Sequence, residues 1–169
     1  MSPRIVLIGP PGSGKSSIAK ALAKKLQSKV ADTDVMVENS AGKKISEIFV
    51  EEGEAHFREL EVTAVSNACL GDADIVAVGG GAILRSENVA AIKSIANRVF
   101  LDVSISNAAP RIGFNKDRPL LLANPRQQWQ KLMSDRRPIY EELATIAIST
   151  DNRKPEEVAT EILVKIGIN

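Results

Sequence analysis

Apolar residues along the chain fall into short β-branched blocks separated by longer stretches with helical spacing. Residues 4–8, Arg-Ile-Val-Leu-Ile, show no alternation. A continuous run of that length predicts a strand buried on both faces. Comparable runs at 30–32, 75–78, 98–103 and 145–148 predict four more strands. Between them the period changes. Residues 16–29 place Ile18, Ala19, Leu22 and Leu26 on one helical face. Residues 54–69 do the same with Phe57, Leu60, Ala64, Val65 and Ala68. A short helix is expected at 45–50 and another within 125–143, where Pro125 suits the first turn and Leu132 and Met133 suit a core. Pro155 opens a last helix to about residue 165. Strand–helix alternation predicts an α/β fold, a parallel sheet with helices on both faces. No repeat, low-complexity tract or linker interrupts it, and residues 113–124 are expected to form a long loop.

Composition narrows the class. With 169 residues, one domain spanning 1–169 is expected. Apolar residues at 44% and charged residues at 25% exclude overall disorder. The 22 basic and 21 acidic residues nearly cancel, so no global footprint for nucleic acid or membrane is present. Cys69 stands alone, which excludes an intramolecular disulfide and a site built of several cysteines. The apolar run after Arg4 is too short for a signal peptide, and the uncharged stretch 75–84 is half a membrane span. A cytoplasmic protein is expected. Charge is uneven, however. Residues 111–137 hold seven basic and two acidic side chains, a net +5, leaving −4 for the rest of a +1 chain. Such a segment is either a solvated helix face with its loop or a cover for an anion.

The strongest chemical signal is Gly9-Pro-Pro-Gly-Ser-Gly14-Lys15-Ser16, which satisfies G-x-x-x-x-G-K-[ST] between a predicted strand and helix. Glycines let backbone N–H groups turn inward around phosphate oxygens, and the helix start adds its positive dipole end. Lys15 is placed to reach the β- and γ-phosphates and the Ser16 hydroxyl to ligate Mg²⁺. The motif implies a nucleoside triphosphate without choosing among kinases, GTPases and motor ATPases. Asn115-Lys116-Asp117-Arg118 does not fit the guanine-reading pattern Asn-Lys-x-Asp, because its aspartate comes one place early. The length suits a small kinase.

An acceptor side follows. Asp32-Thr33-Asp34 ends the second predicted strand, where ligands gather in open α/β sheets. If the chain stays extended, both carboxylates face one side, one for a metal and one for a hydroxyl nucleophile. The competing reading is a turn or helix N-cap. Arg58, one position past the apolar Phe57, points either to a cleft edge or into a surface ion pair with Glu54 or Glu61. Gly79, Gly80 and Gly81 directly follow a predicted strand. Three glycines there mean close backbone approach or an unusual turn, with a bound small molecule as one occupant.

Taken in order, the P-loop, Asp-Thr-Asp, Phe-Arg-x-x-Glu, Gly-Gly-Gly, Arg-Pro-Leu-Leu and Arg-x-x-x-Tyr resemble the shikimate kinases over essentially the whole chain. The resemblance implies a three-layer P-loop kinase fold with a five-stranded parallel sheet and a mobile lid, here at about residues 112–124. It implies transfer of the ATP γ-phosphoryl group to the 3-hydroxyl of shikimate. By motif, Gly12, Ser13, Gly14, Lys15, Ser16 and Ser17 bind ATP phosphates. Ser16 and Asp32 serve Mg²⁺. Asp34 meets the acceptor hydroxyls and is the candidate base. Arg58 and Arg136 clamp the acceptor carboxylate, and Gly80 offers a backbone contact, with Gly79 and Gly81 shaping the pocket. Arg118 is the lid arginine that reaches ATP phosphates, supported by Arg111. Arg153 matches the adenine-side residue. Lys15, Asp34 and Arg118 form the expected catalytic set.

The chemistry agrees, since two planar guanidinium groups orient a carboxylate as well as bind it. Arg137 competes with Arg136 for the carboxylate, and spacing to Tyr140 favours Arg136. Asp102 is expected to be structural, His56 a surface or second-layer residue, and Trp129 a packing residue. The expected partners are shikimate and ATP, with a monomeric enzyme that binds neither nucleic acid nor membrane. The alternatives are a gluconate kinase of the same fold and a non-catalytic nucleotide-binding module.

Overall fold

The computed structural model describes residues 2–112 and 124–169. Its strands are β1 (Ile5–Ile8), β2 (Val30–Asp32), β3 (Ile75–Ala77), β4 (Asn97–Asp102) and β5 (Ile146–Ser149). All pair in parallel, in the order β2-β3-β1-β4-β5. The helices among the described residues are α1 (Lys15–Leu26), α2 (Thr33–Ala41), α3 (Ile45–Glu52), α4 (Glu54–Leu70), α5 (Ser86–Lys93), α6 (Ile105–Ile112), α7 (Pro125–Leu143) and α8 (Pro155–Lys165).

The unalternating apolar run of β1 has its cause in the sheet. β1 is central, hydrogen-bonded to β3 on one side and β4 on the other, with Val6 opposite Val76 and Arg98. All four of its side chains are fully buried. Val6 and Ile8 point into one core with Val65, Phe100, Met133 and Tyr140. Ile5 and Leu7 point into the other with Leu22, Leu101, Val158 and Ile162. Burying each such side chain contributes about 1.5–3 kcal/mol. Helices α1 and α8 cover the second core, while α4, α5 and α7 cover the first. A third apolar cluster of Val37, Ile45, Ile48, Phe57 and Ala64 joins α2, α3 and α4 beyond the sheet edge.

Three helices escaped the periodicity reading. In α2 only Thr33 and Val37 are buried, in α5 only Asn88 and Ile92, and in α6 only Ala108. Each spans only eight or nine residues, too short a window for a helical period to stand out, and Pro110 inside α6 argues locally against a helix. The first helix stops at Leu26 rather than 29, because Gln27 takes a left-handed conformation (φ 50°) and its N–H caps the Ala23 carbonyl. Among the described residues no helix is long and apolar enough to cross a membrane.

Candidate active site

Strand order reverses at β1, whose neighbours lie on opposite sides, and the phosphate loop leaves its carboxyl end. That crevice is where open α/β sheets bind ligands. Gly14 is the N-cap of α1 with φ 91°, a region closed to most L-residues, and it brings no capping side chain. The first N–H groups of α1 therefore face the loop's concavity, an anion site made from backbone. Lys15 folds over the loop, its Nζ donating to the Gly9 and Pro10 carbonyls at 2.7 and 3.0 Å. A cleft of about 280 Å³ opens there, lined by Gly12, Lys15, Ser16, Asp32, Asp34 and Arg111 among others. Ser17 also lines it, and Ser13 is buried beneath the loop.

The Asp-Thr-Asp segment does not stay extended. Asp32 is the N-cap of α2, with Oδ1 accepting from the Asp34 and Val35 N–H groups at 3.1 and 3.4 Å. The two carboxylates are therefore not related by extended i, i+2 spacing, because the capping preference of aspartate starts a helix at Thr33. Both carboxylates still reach the cleft. The second oxygen of Asp32 accepts from Ser16 Oγ at 2.6 Å, which joins the two proposed metal-side groups. Thr33, between them, is fully buried and its Oγ1 accepts the Gly79 N–H at 3.0 Å. Gly79 therefore spends its N–H on the protein.

Each of the three glycines faces a different group. A Cβ at Gly79 would lie 2.7 Å from both Asp34 Oδ1 and Glu61 Oε2. One at Gly80 would meet Pro11 Cδ at 3.1 Å, and one at Gly81 the Arg58 guanidinium at 2.5–2.8 Å. Arg58 takes both readings at once. It donates to Glu61 at 2.8 Å and to Glu54 at 3.4 Å, yet it lies inward against Gly81 rather than on the surface. Glu61 is 1% exposed. Its burial was hidden by the charge-rich sequence around it.

Helix α7 supplies Arg136, which is 6% exposed and has no hydrogen-bond or ion-pair partner among the described residues. Arg137 is engaged elsewhere, making two 2.9 Å bonds to Asp102, whose carboxylate holds the guanidinium pKa above its ordinary value. The geometry thus separates two arginines that are adjacent in sequence, and Asp102 serves as the partner of Arg137. Arg111 donates to the Gly12 carbonyl at 3.0 Å and to Thr150, beside the phosphate loop. Arg153 donates to Ser149 and Glu161 and does not line the cleft. His56 pairs with Glu52 on the surface. Trp129 and Tyr140, both buried, donate to the Pro11 and Gly80 carbonyls at 2.8 and 2.6 Å. Thr33, Glu61 and Tyr140 belong to the Asp-Thr-Asp, Phe-Arg-x-x-Glu and Arg-x-x-x-Tyr motifs without an expected role of their own, and Trp129 packs as expected while also hydrogen-bonding the phosphate loop. Arg118 and the expected lid core fall at 113–123, outside the described residues.

The phosphate loop after β1 and the carboxylates of Asp32 and Asp34 after β2 share one cleft, with β3 between the two strands, the arrangement of a P-loop kinase. Comparison with known proteins carries this further. The family model "Shikimate kinase" matches residues 11–167. The chain is 46% identical over 162 residues to a shikimate kinase of Salinispora arenicola, with 96% of each chain covered. The chain belongs to the shikimate kinase family. Its structure resembles that of shikimate kinase from Acinetobacter baumannii in complex with shikimate, with TM-score 0.94 and 34% identity over 97% of this chain and 92% of that one. A gluconokinase from Sinorhizobium meliloti, at TM-score 0.59 and 21% identity over 96% and 90% of the two chains, shares the fold alone.

Proposed function

We propose that this enzyme transfers the γ-phosphoryl group of ATP to the 3-hydroxyl of shikimate in the cleft between the phosphate loop and Asp34. The observation that carries the acceptor is Arg136. It is buried without a partner among the described residues, a costly state that a planar carboxylate relieves bidentately. Arg58, held by Glu61, supplies the second grip. Two fixed guanidiniums set the orientation of the acid, and Asp34 then receives its hydroxyls. Gly80 adds a backbone contact, with Gly79 and Gly81 admitting the neighbouring side chains.

Phosphoryl transfer asks mainly for positioning and charge stabilisation. The hydroxyl oxygen forms a bond to the γ-phosphorus as the bond to the β–γ bridging oxygen breaks, and ADP leaves. Asp34 aims the hydroxyl and takes its proton. Lys15 turns from the loop carbonyls to the β- and γ-phosphates, and residues 12–17 hold the phosphate oxygens. Arg111 keeps the loop in place. Arg118 is assigned to the transferred phosphate, and Arg153 to the adenine side, on motif resemblance.

Ser16 Oγ and Asp32 Oδ2 form a pair of hard oxygen donors beside the loop. That set fits Mg²⁺, which is typically held by one or two protein oxygens together with substrate phosphates and water. When bound, the ion neutralises phosphate charge. The working unit we propose is a single 1–169 domain, a cytoplasmic monomer acting on small molecules.

The test is ADP release with Mg²⁺ and ATP, with and without shikimate. Shikimate-dependent release supports the proposal. Release that ignores shikimate and follows gluconate overturns the acceptor while keeping the kinase.

A further inference from the structure

Helix α7 presents one buried face at residues 129, 133, 136 and 140, spaced four, three and four. Its middle carries Arg136. Its two ends hold loop carbonyls. Trp129 Nε1 donates to the Pro11 carbonyl of the phosphate loop at 2.8 Å. Three turns later Tyr140 Oη donates to the Gly80 carbonyl at 2.6 Å. Gly80 also lies beside the phosphate loop, with no room for a side chain between them. A Cβ at Gly80 would come within 3.1 Å of Pro11 Cδ and 3.4 Å of the Gly9 carbonyl. The loop that holds the donor phosphates and the loop that contacts the acceptor thus lie side by side, and one helix, α7, clasps both.

We infer that Trp129 and Tyr140 are positioning residues that fix the separation of the phosphoryl donor from the acceptor hydroxyl, acting through the Pro11 and Gly80 backbone. Both clasps are buried, so loss of either donor leaves a carbonyl unsatisfied and frees its loop to shift. In-line transfer depends steeply on distance, and a displacement of 1 Å costs about 10²-fold. Each residue acts through a backbone carbonyl rather than by gripping a substrate, so the effect falls on kcat more than on either KM. The two residues act on the same spacing, so their effects are not additive. This inference rests on the function proposed above.

Trp129→Phe, Tyr140→Phe and the double variant test it, each assayed with ATP and shikimate beside the wild-type protein. Melting curves give the folded fraction at the assay temperature. We expect each single variant to lose about tenfold in kcat per folded enzyme, with KM for ATP and for shikimate changed less than threefold. The double variant loses less than the product of the singles. A kcat within twofold of wild type in both single variants overturns the inference, as does a loss that vanishes on dividing by folded fraction, or one that falls only on a KM. If Trp129→Phe does not fold, Tyr140→Phe, which removes a single oxygen, decides alone. Should the wild-type protein show no shikimate-dependent turnover, the functional proposal fails instead, so the two failures are distinguishable.

Discussion

Gly79→Ala should lower kcat by displacing Asp34 while leaving nucleotide binding intact. Gly79 lies outside the left-handed region, so alanine adopts its backbone without strain. The added methyl would sit 2.7 Å from Asp34 Oδ1 and 2.7 Å from Glu61 Oε2, where ordinary contact begins at 3.4 Å. The difference, 3.4 minus 2.7, requires a yield of about 0.7 Å. The backbone of Gly79 is held by Thr33 at 3.0 Å, and Glu61 is held by Arg58 at 2.8 Å in a buried setting. Asp34, at the start of α2 and facing the cleft, is the group that moves. If 1 Å costs about 10²-fold, then about 0.7 Å costs roughly 25-fold, or about 1.9 kcal/mol of barrier. The assay is steady-state turnover at saturating ATP and shikimate, with ATP affinity measured separately. Gly81→Ala is the contrast, since its methyl meets the Arg58 guanidinium and should raise the shikimate KM instead. A folded Gly79→Ala enzyme with kcat within twofold of wild type would refute the placement of Asp34 at the acceptor.

Other outcomes follow from the same contacts. Glu61→Ala leaves Arg58, 13% exposed, without its closer partner, and should cost about 3 kcal/mol in urea unfolding while raising the shikimate KM. A change below about 0.5 kcal/mol would contradict the buried pairing. Arg136→Ala should raise the shikimate KM by about 10²-fold, in line with loss of a charged bidentate contact. Arg137→Ala should change that KM less than threefold, because its ion pair with Asp102 is half exposed and worth roughly 0–1 kcal/mol. Equal effects in the two variants would undo the separation of roles. Cys69 is buried, and that burial raises its thiol pKa against a smaller lowering by Arg4. The native thiol should therefore react slowly with a disulfide reagent at pH 8 and rapidly in urea; a native rate matching the unfolded one would show that the core below α4 is open.

The candidate site was legible where one residue type has one plausible use. The glycine-lysine-serine loop needed only a strand before it and a helix after it, and both are present. Asp32 was legible as a choice between extended chain and cap, and the cap won while still leaving an oxygen for Ser16. The glycine triplet was legible as close approach, but not what approached. Glu61 was legible as a motif residue and as a possible partner of Arg58, but only packing against α2 and the glycine loop shows it buried. Helices α2, α5 and α6 were invisible for a related reason. Their stability comes from tertiary contact, and a helix of eight or nine residues is too short for its period to be read.

By itself, then, the sequence determined what depends on neighbours along the chain. That includes the strand–helix alternation, the phosphate loop and the placing of β1 in the sheet interior, since a run of four apolar residues cannot face water. The tertiary structure decided what depends on neighbours in space. It assigned Arg137 to Asp102 and left Arg136 without a partner among the described residues, although the two are adjacent and chemically identical. Successive residues on a helix point about 100° apart, so one turns to the edge of β4 and the other into the molecule. It also brought Trp129 to Pro11 and Tyr140 to Gly80, contacts that span 118 and 60 residues. No local pattern encodes such pairs. They exist because a parallel sheet gathers the carboxyl ends of its strands at one edge, and one helix lies across the loops that leave them.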